Sequence, residues 1–275
     1  MKPTIEILTR LQENSKNNHD EVFTKLFRYL LRPDIYYTAF HNLYANNGAA
    51  TKGVNDDTAD SFSEDKVSKI IEVLRNGTYK PKPVRRTYIK KKNGKQRPLG
   101  LPTFTDKLIQ DVIRMILQAI YEPIFSNYSH GFRPGRSCHT ALAQLKHEFI
   151  GAKWFVEGDI KGCFDNIDHS VLINIIGKKI KDVRFLNLIR NFLKEMCIRD
   201  SIWTIHIIRY LMEQEERSSS WMIWEPYFLI GITAEALVWY TVRTVFASLH
   251  QKNCWKNSSK RTWVRIWTWE CKGGF

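Results

Sequence analysis

Apolar positions along the chain fall into short periodic runs, and the spacing of each run predicts an element. Val22, Phe23, Leu26, Phe27 and Leu30 recur at spacings that build one helical face, and Pro33 ends that pattern. The polar stretch from Asn46 to Asp56 reads as a loop. Ser61 and Glu64 have capping-box spacing ahead of Val67, Ile70, Ile71 and Leu74, which predicts a second helix. Val84 to Ile89 and Arg97 to Leu101 flank Asn93-Gly94, the pattern of a β-hairpin. Asp106 can cap a third helix whose buried side is Leu108, Ile109, Val112, Ile113, Ile116, Leu117 and Ile120. A tight loop over Gly131 to Arg136 precedes a helix expected from His139 to Phe149. Trp154 to Ile160 suits a strand, and helix resumes near Ser170.

This punctuation stops near residue 200. Eight of the nine tryptophans lie beyond it, no aspartate occurs from Ser201 to Phe275, and Pro226 is the one proline of that stretch. The chain therefore divides into an N-terminal extension (1–78), a central region (79–195) and an unassigned tail (196–275).

Composition narrows the partners. A net charge of +14 and a pI near 9.5 attract polyanions, so nucleic acid is the first partner to consider and an anionic membrane surface the second. No apolar run approaches the roughly 18 residues of a membrane span, and the first residues lack the apolar core of a signal peptide. Cys138, Cys163, Cys197, Cys254 and Cys271 are widely spaced and contain no CxxC. A disulfide framework or zinc site is not expected, and the chain reads as cytoplasmic with no membrane partner.

Three clusters can carry chemistry. Nine Lys or Arg residues and no acid lie between Lys80 and Arg97 along the expected hairpin. Mutual repulsion makes folding alone a poor reason for them. Phosphates would neutralise them, and a solvated basic strand is the plainer alternative. In Gly131-Phe132-Arg133-Pro134-Gly135-Arg136-Ser137, Gly and Pro fix a turn beside a helix start, and two arginine forks suit phosphates. An ordinary turn gives the same pattern. In the third cluster an apolar strand ends at Asp159, where a carboxylate can hold Mg²⁺ together with substrate phosphate oxygens. Asp168 reads as the cap of the following helix, Asp165 is less compelling as a ligand, and His169 reads as a surface residue.

Taken in order, these stretches resemble the group II intron-encoded reverse transcriptase/maturase family over about Asp20 to Leu193. Asn47-Gly48-Ala49 with Thr51, Gly53 and Val54 resembles the family's N-terminal loop motif. Arg85 to Ile89 and Gly94 to Pro102 resemble its fingers motifs, and Tyr128 to Ser137 the motif that follows. Gly158-Asp159-Ile160-Lys161-Gly162-Cys163-Phe164-Asp165 resembles the first catalytic palm motif. The resemblance implies an α+β, right-hand polymerase fold, with fingers and a partial palm, that makes DNA on an RNA template and assists intron splicing. It implies Asp159 as catalytic metal ligand, Mg²⁺ as cofactor, and intron or template RNA, a DNA primer and deoxynucleotide triphosphates as partners. Arg85, Lys91 and Arg97 match triphosphate-contacting positions. Phe164 matches an aromatic gate against a ribose 2′-hydroxyl. Lys80, Lys82, Arg86, Lys90, Lys92, Lys95, Arg133 and Arg136 are the expected RNA-binding cations.

The sequence also departs from the family. The Pro-Gln-Gly-Gly-type motif and the aromatic-x-Asp-Asp box, which supplies further metal-binding aspartates, do not occur in it. A lone Asp159 is a poor two-metal site, so an inactive, truncated polymerase is the expectation, with a non-catalytic RNA-binding protein as the alternative. For the tail three readings compete: a tryptophan-rich RNA-binding extension, an interfacial membrane segment, or a frame-shifted or mis-joined reading frame that packs poorly.

Overall fold

The computed structural model describes residues 3–46, 48–90, 94, 96–148, 150, 156–159, 168–195, 228–232 and 238–242. They show a mixed helix and strand chain in two compact units, one of residues 1–124 and 164–211, the other of 125–163 and 212–275.

The first unit is helical with one hairpin. Helices α1 (Thr4–Asn17), α2 (Pro33–Tyr44) and α3 (Glu64–Arg75) precede strands β1 (Arg85–Lys90) and β2 (Gln96–Leu101), and α4 (Phe104–Tyr121) follows. Helix α4 is the centre of the core, with α1 and α2 both packed on it. Ile109, Val112, Ile113, Ile116, Leu117 and Ile120 are fully inaccessible. Each such side chain contributes about 1.5–3 kcal/mol, so a charge at any of them would break the unit. Ser15 on α1 donates to the Ile120 carbonyl at 2.6 Å, satisfying one of the orphan acceptors at the end of α4.

Two caps differ from the sequence expectation. Helix α4 starts at Phe104 because Thr103 is its cap, and its hydroxyl accepts the Asp106 N–H at 3.2 Å. Asp106 sits three residues in and takes hydrogen bonds from the Thr103 and Tyr79 hydroxyls. Burial pushes its carboxyl above the ordinary carboxylate range. Likewise Ser63, not Ser61, caps α3, accepting the Lys66 N–H at 3.2 Å.

The expected helix over Val22 to Leu30 does not form. Phe23 instead makes a parallel bridge to Ile180, and Phe27–Leu31 is a 3₁₀ turn. Phe23, Leu26, Phe27 and Leu30 are nevertheless buried, while Val22 is exposed. Tertiary partners take the backbone: Phe23 N–H donates to Lys179 O at 2.9 Å and Lys181 N–H to Phe23 O at 2.8 Å. Phe27 N–H donates to the Asp182 carboxylate at 2.8 Å. Pro33 begins α2 rather than only ending a helix, a position where its missing N–H costs nothing.

Helices α6 (His169–Lys179) and α7 (Val183–Glu195) complete this unit. Asp168 caps α6 as expected, accepting from Ser170 and Val171 N–H at 2.6 and 3.0 Å. Asp182 caps α7 through Phe185 N–H at 3.1 Å, and Arg184 lies over the Phe27 ring at 4.1 Å.

The second unit holds α5 (Cys138–Glu148) and an antiparallel sheet of order β3-β5-β4, with β3 at Val156–Asp159, β4 at Phe228–Ile232 and β5 at Val238–Val242. Register pairs Val156 with Val242 and Asp159 with Trp239. Two short segments of the tail therefore pair, through β5, with the strand that carries Asp159. Among the described residues no helix is long and apolar enough to cross a membrane.

Candidate nucleic-acid interface

The hairpin β1–β2 pairs Arg85 with Leu101 through Lys90 with Gln96, a register one residue off that of a two-residue Asn93-Gly94 turn, and Gly94 in the connection has a φ of +76°. Every residue of β1 except Thr87 is exposed, including Tyr88 at 57% and Ile89 at 51%. Strands normally bury one face, and this one buries neither. Lys80 and Lys82, on the approach, and Arg86 and Lys90, on the strand, are exposed cations. Arg97 lies on β2 opposite Ile89, with only its backbone described. Lys91, Lys92 and Lys95 lie outside the described residues.

Arg85 has a specific partner. Its Nε and Nη2 donate to the Lys52 carbonyl at 3.2 and 2.8 Å, joining the hairpin to the 46–56 loop. Lys107 holds the same loop from α4, donating to Gly48 O at 3.2 Å and Thr51 O at 3.1 Å. Burial holds the Lys107 ammonium below the usual lysine range. Gly53 presses on the hairpin's exit: a Cβ there would lie 2.8 Å from Thr103 Cα and 2.9 Å from the Pro102 carbonyl carbon. Only hydrogen fits at that site. Asp57 anchors the loop's far end, accepting from the Lys66 ammonium and from Thr105 Oγ1 at 2.7 Å. Burial alone would raise the Asp57 carboxyl, but hydrogen bonds from Lys66, Thr105 and Ser61 hold it below the usual carboxylate range. Loop and hairpin therefore form one pinned assembly. Spacing could have suggested the capping residues but not Lys107, which carries no motif signal beyond its place on a helix.

The Gly131–Arg136 loop of the second unit is built differently. Arg133 Nη1 donates inward to Ser126 O at 2.6 Å and Ser129 O at 2.9 Å, and its guanidinium lies 5.4 Å from the Phe125 ring centroid. Arg136 Nη1 donates to Asn127 O at 3.2 Å. Both arginines expected to meet RNA are engaged by their own loop. The buried His130 ring contacts Thr140 Oγ1 at 2.8 Å and Gln144 Oε1 at 2.6 Å on α5.

Asp159 is the last residue of β3, as the sequence predicts, and its backbone is what the structure describes. Phe164 and Asp165 lie outside the described residues. The partner strands, FLIGI and VWYTV, bring no carboxylate beside β3. Among the described residues no group of three or more His, Cys, Asp or Glu is arranged to hold a metal ion. The donor chemistry of Asp159, a hard oxygen at a strand end, fits one ligand of Mg²⁺, which takes its remaining ligands from water and substrate phosphates.

Comparison with known proteins adds the following. The family described as reverse transcriptase (RNA-dependent DNA polymerase) matches residues 89–219, running past Leu193, where the motif resemblance ends. The group II intron-encoded protein LtrA of Lactococcus lactis subsp. cremoris is 64% identical over 207 residues, 75% of this chain and 34% of that protein. The uncharacterized 91 kDa protein in cob intron of Schizosaccharomyces pombe is 41% identical over 209 residues, 75% of this chain and 26% of that protein. Nuclear intron maturase 1, mitochondrial, of Arabidopsis thaliana is 41% identical over 93 residues, 34% of this chain and 13% of that protein. The chain spans about a third or less of the length of these curated relatives.

Proposed function

Because this chain belongs to the group II intron-encoded reverse transcriptase/maturase family, we propose that it supplies fingers and first palm motifs of a right-hand, RNA-directed DNA polymerase. The observation that carries the reading is the doubly exposed basic hairpin locked to the 46–56 loop. Arg85 ties the hairpin to the loop, but Lys80, Lys82, Arg86 and Lys90 stand exposed, and an RNA backbone neutralises them. On this reading Lys80, Lys82, Arg86, Lys90, Lys92 and Lys95 line RNA, while Arg85, Lys91 and Arg97 bind the triphosphate of a deoxynucleotide. Arg85 reaches that role from a guanidinium already oriented by Lys52 O. Phe164 excludes a ribose 2′-hydroxyl, and Asp159 holds Mg²⁺. When bound, the metal supplies charge stabilisation for phosphoryl transfer to a primer 3′-hydroxyl. Assistance to intron splicing would use the same RNA-binding surface.

The absence of carboxylates from β4 and β5 favours a second reading for the chain as it stands: RNA binding without sustained synthesis. Primer extension on an RNA template with Mg²⁺ and deoxynucleotides separates the two. Synthesis that disappears in Asp159→Ala supports the polymerase reading, with a loss of orders of magnitude expected for a metal ligand. RNA binding without synthesis supports the second. A folded chain that does neither sinks both.

A further inference from the structure

Phe132 is the one non-glycine residue with positive φ among the described residues, at +53°. A bulky side chain in that region is strained, and such strain persists only where surrounding structure over-determines it. Here the neighbouring residues do so. Immediately after Phe132, Arg133 grips Ser126 O and Ser129 O and stacks on Phe125. Two residues before it, His130 is held by Thr140 and Gln144 of α5. Gly135, with φ of +68°, completes the turn. None of these restraints uses the Phe132 ring, which is 41% exposed; the ring that packs on Arg133 is that of Phe125. The loop is therefore held by contacts that do not use the Phe132 ring, which stays part-exposed in a backbone conformation costly for a bulky residue.

The ring's neighbourhood selects an occupant. From Phe125 to His147 the sequence carries Arg133, Arg136 and Lys146 and no acidic residue, in a chain of net charge +14. Glu148, the next acid along the chain, is bound by the Gln144 amide at 2.8 Å, and an exposed aromatic among these cations suits the flat face of an unpaired base whose phosphates lie in the same field. We propose that Phe132 is a stacking platform for an unpaired base of the RNA strand, with Arg133 and His130 as positioning residues that hold the loop rather than touch the RNA. This rests on the RNA-binding reading above and names a contact within it.

The test uses the full chain and a fluorescently labelled, unstructured oligouridylate, with affinity followed across a salt series and thermal unfolding measured in parallel. Asn tolerates positive φ, so Phe132→Asn should unfold at the native midpoint or above it while binding RNA about tenfold more weakly. The slope of affinity against salt should stay unchanged, because no phosphate contact is lost. Phe132→Trp should restore binding. Equal RNA affinity in Phe132→Asn would overturn the proposal and leave the RNA-binding reading intact, as would a lowered midpoint that accounts for the loss through misfolding. Native chain that fails to bind the oligonucleotide at all would overturn both.

Discussion

The basic hairpin of the first unit and the Gly131–Arg136 loop of the second use the same residue type for opposite ends. On β1 Arg85 turns to the Lys52 carbonyl, but Arg86 and Lys90 stand along a strand that buries neither face and keep their charge in solvent. In the second loop the guanidinium of Arg133 is spent on Ser126 O, Ser129 O and the Phe125 ring. An arginine brings a fixed charge and five donors, and nearby carbonyls that lack a donor can draw it inward. Where the chain doubles back tightly, orphan carbonyls are close, and arginine becomes a structural clamp.

Substitutions separate the two uses of a cation. Arg133→Ala should cost about 2 kcal/mol of stability, since charged-donor hydrogen bonds to two carbonyls are lost together. Denaturant unfolding reads this, and the salt slope of RNA affinity should stay unchanged. If instead stability holds and the slope falls, Arg133 is an RNA contact and the contrast collapses. Arg86→Ala combined with Lys90→Ala should do the reverse. Unfolding should stay at the native midpoint while affinity drops about tenfold and the log–log salt slope becomes shallower by about 1.4, two phosphates at roughly 0.7 each.

A smaller effect tests the pinning of the 46–56 loop. The Asp57 carboxyl is held below its unfolded value of 3.8. A carboxyl depressed in the folded state stabilises above its unfolded pKa and loses that contribution as the pH falls through the folded value. Stability should therefore decline below about pH 4, and Asp57→Asn should flatten that acid limb in a pH series of unfolding curves. An unchanged acid limb would mean that Lys66 and Thr105 hold the loop without the charge.

Much of the central region was legible because its signals are local. The hairpin follows from Asn93-Gly94 and two β-rich arms, and α4 from a run with helical period along its whole length. Asp168 caps α6 as its spacing suggested. The family was legible through motifs in register. What escaped depended on distant partners. The run from Val22 to Leu30 has helical spacing and buried apolar residues, yet Ile180 and Asp182 claim its backbone. No window of neighbouring residues contains that competition. Helices α1 and α2 are hard to see for a related reason: α1 buries few residues, and Pro33 ends one apolar pattern while it starts a helix. At the site, Asp159 and Arg85 came from motifs, whereas the inward turn of Arg133 and Arg136 and the clamp by Lys107 are consequences of packing.

The bridge from Phe23 to Ile180 and the hydrogen bond from Phe27 to Asp182 set a schedule for the chain's birth. The partners of the second bond are 155 residues apart. At about 5–20 residues per second, the ribosome needs on the order of ten to thirty seconds to deliver the later partner after the earlier one. Through that interval Phe23 lacks its bridge to Ile180 and Phe27 its hydrogen bond to Asp182. Full burial of this apolar segment therefore waits for α6 and α7, which makes its ordering a late step of folding.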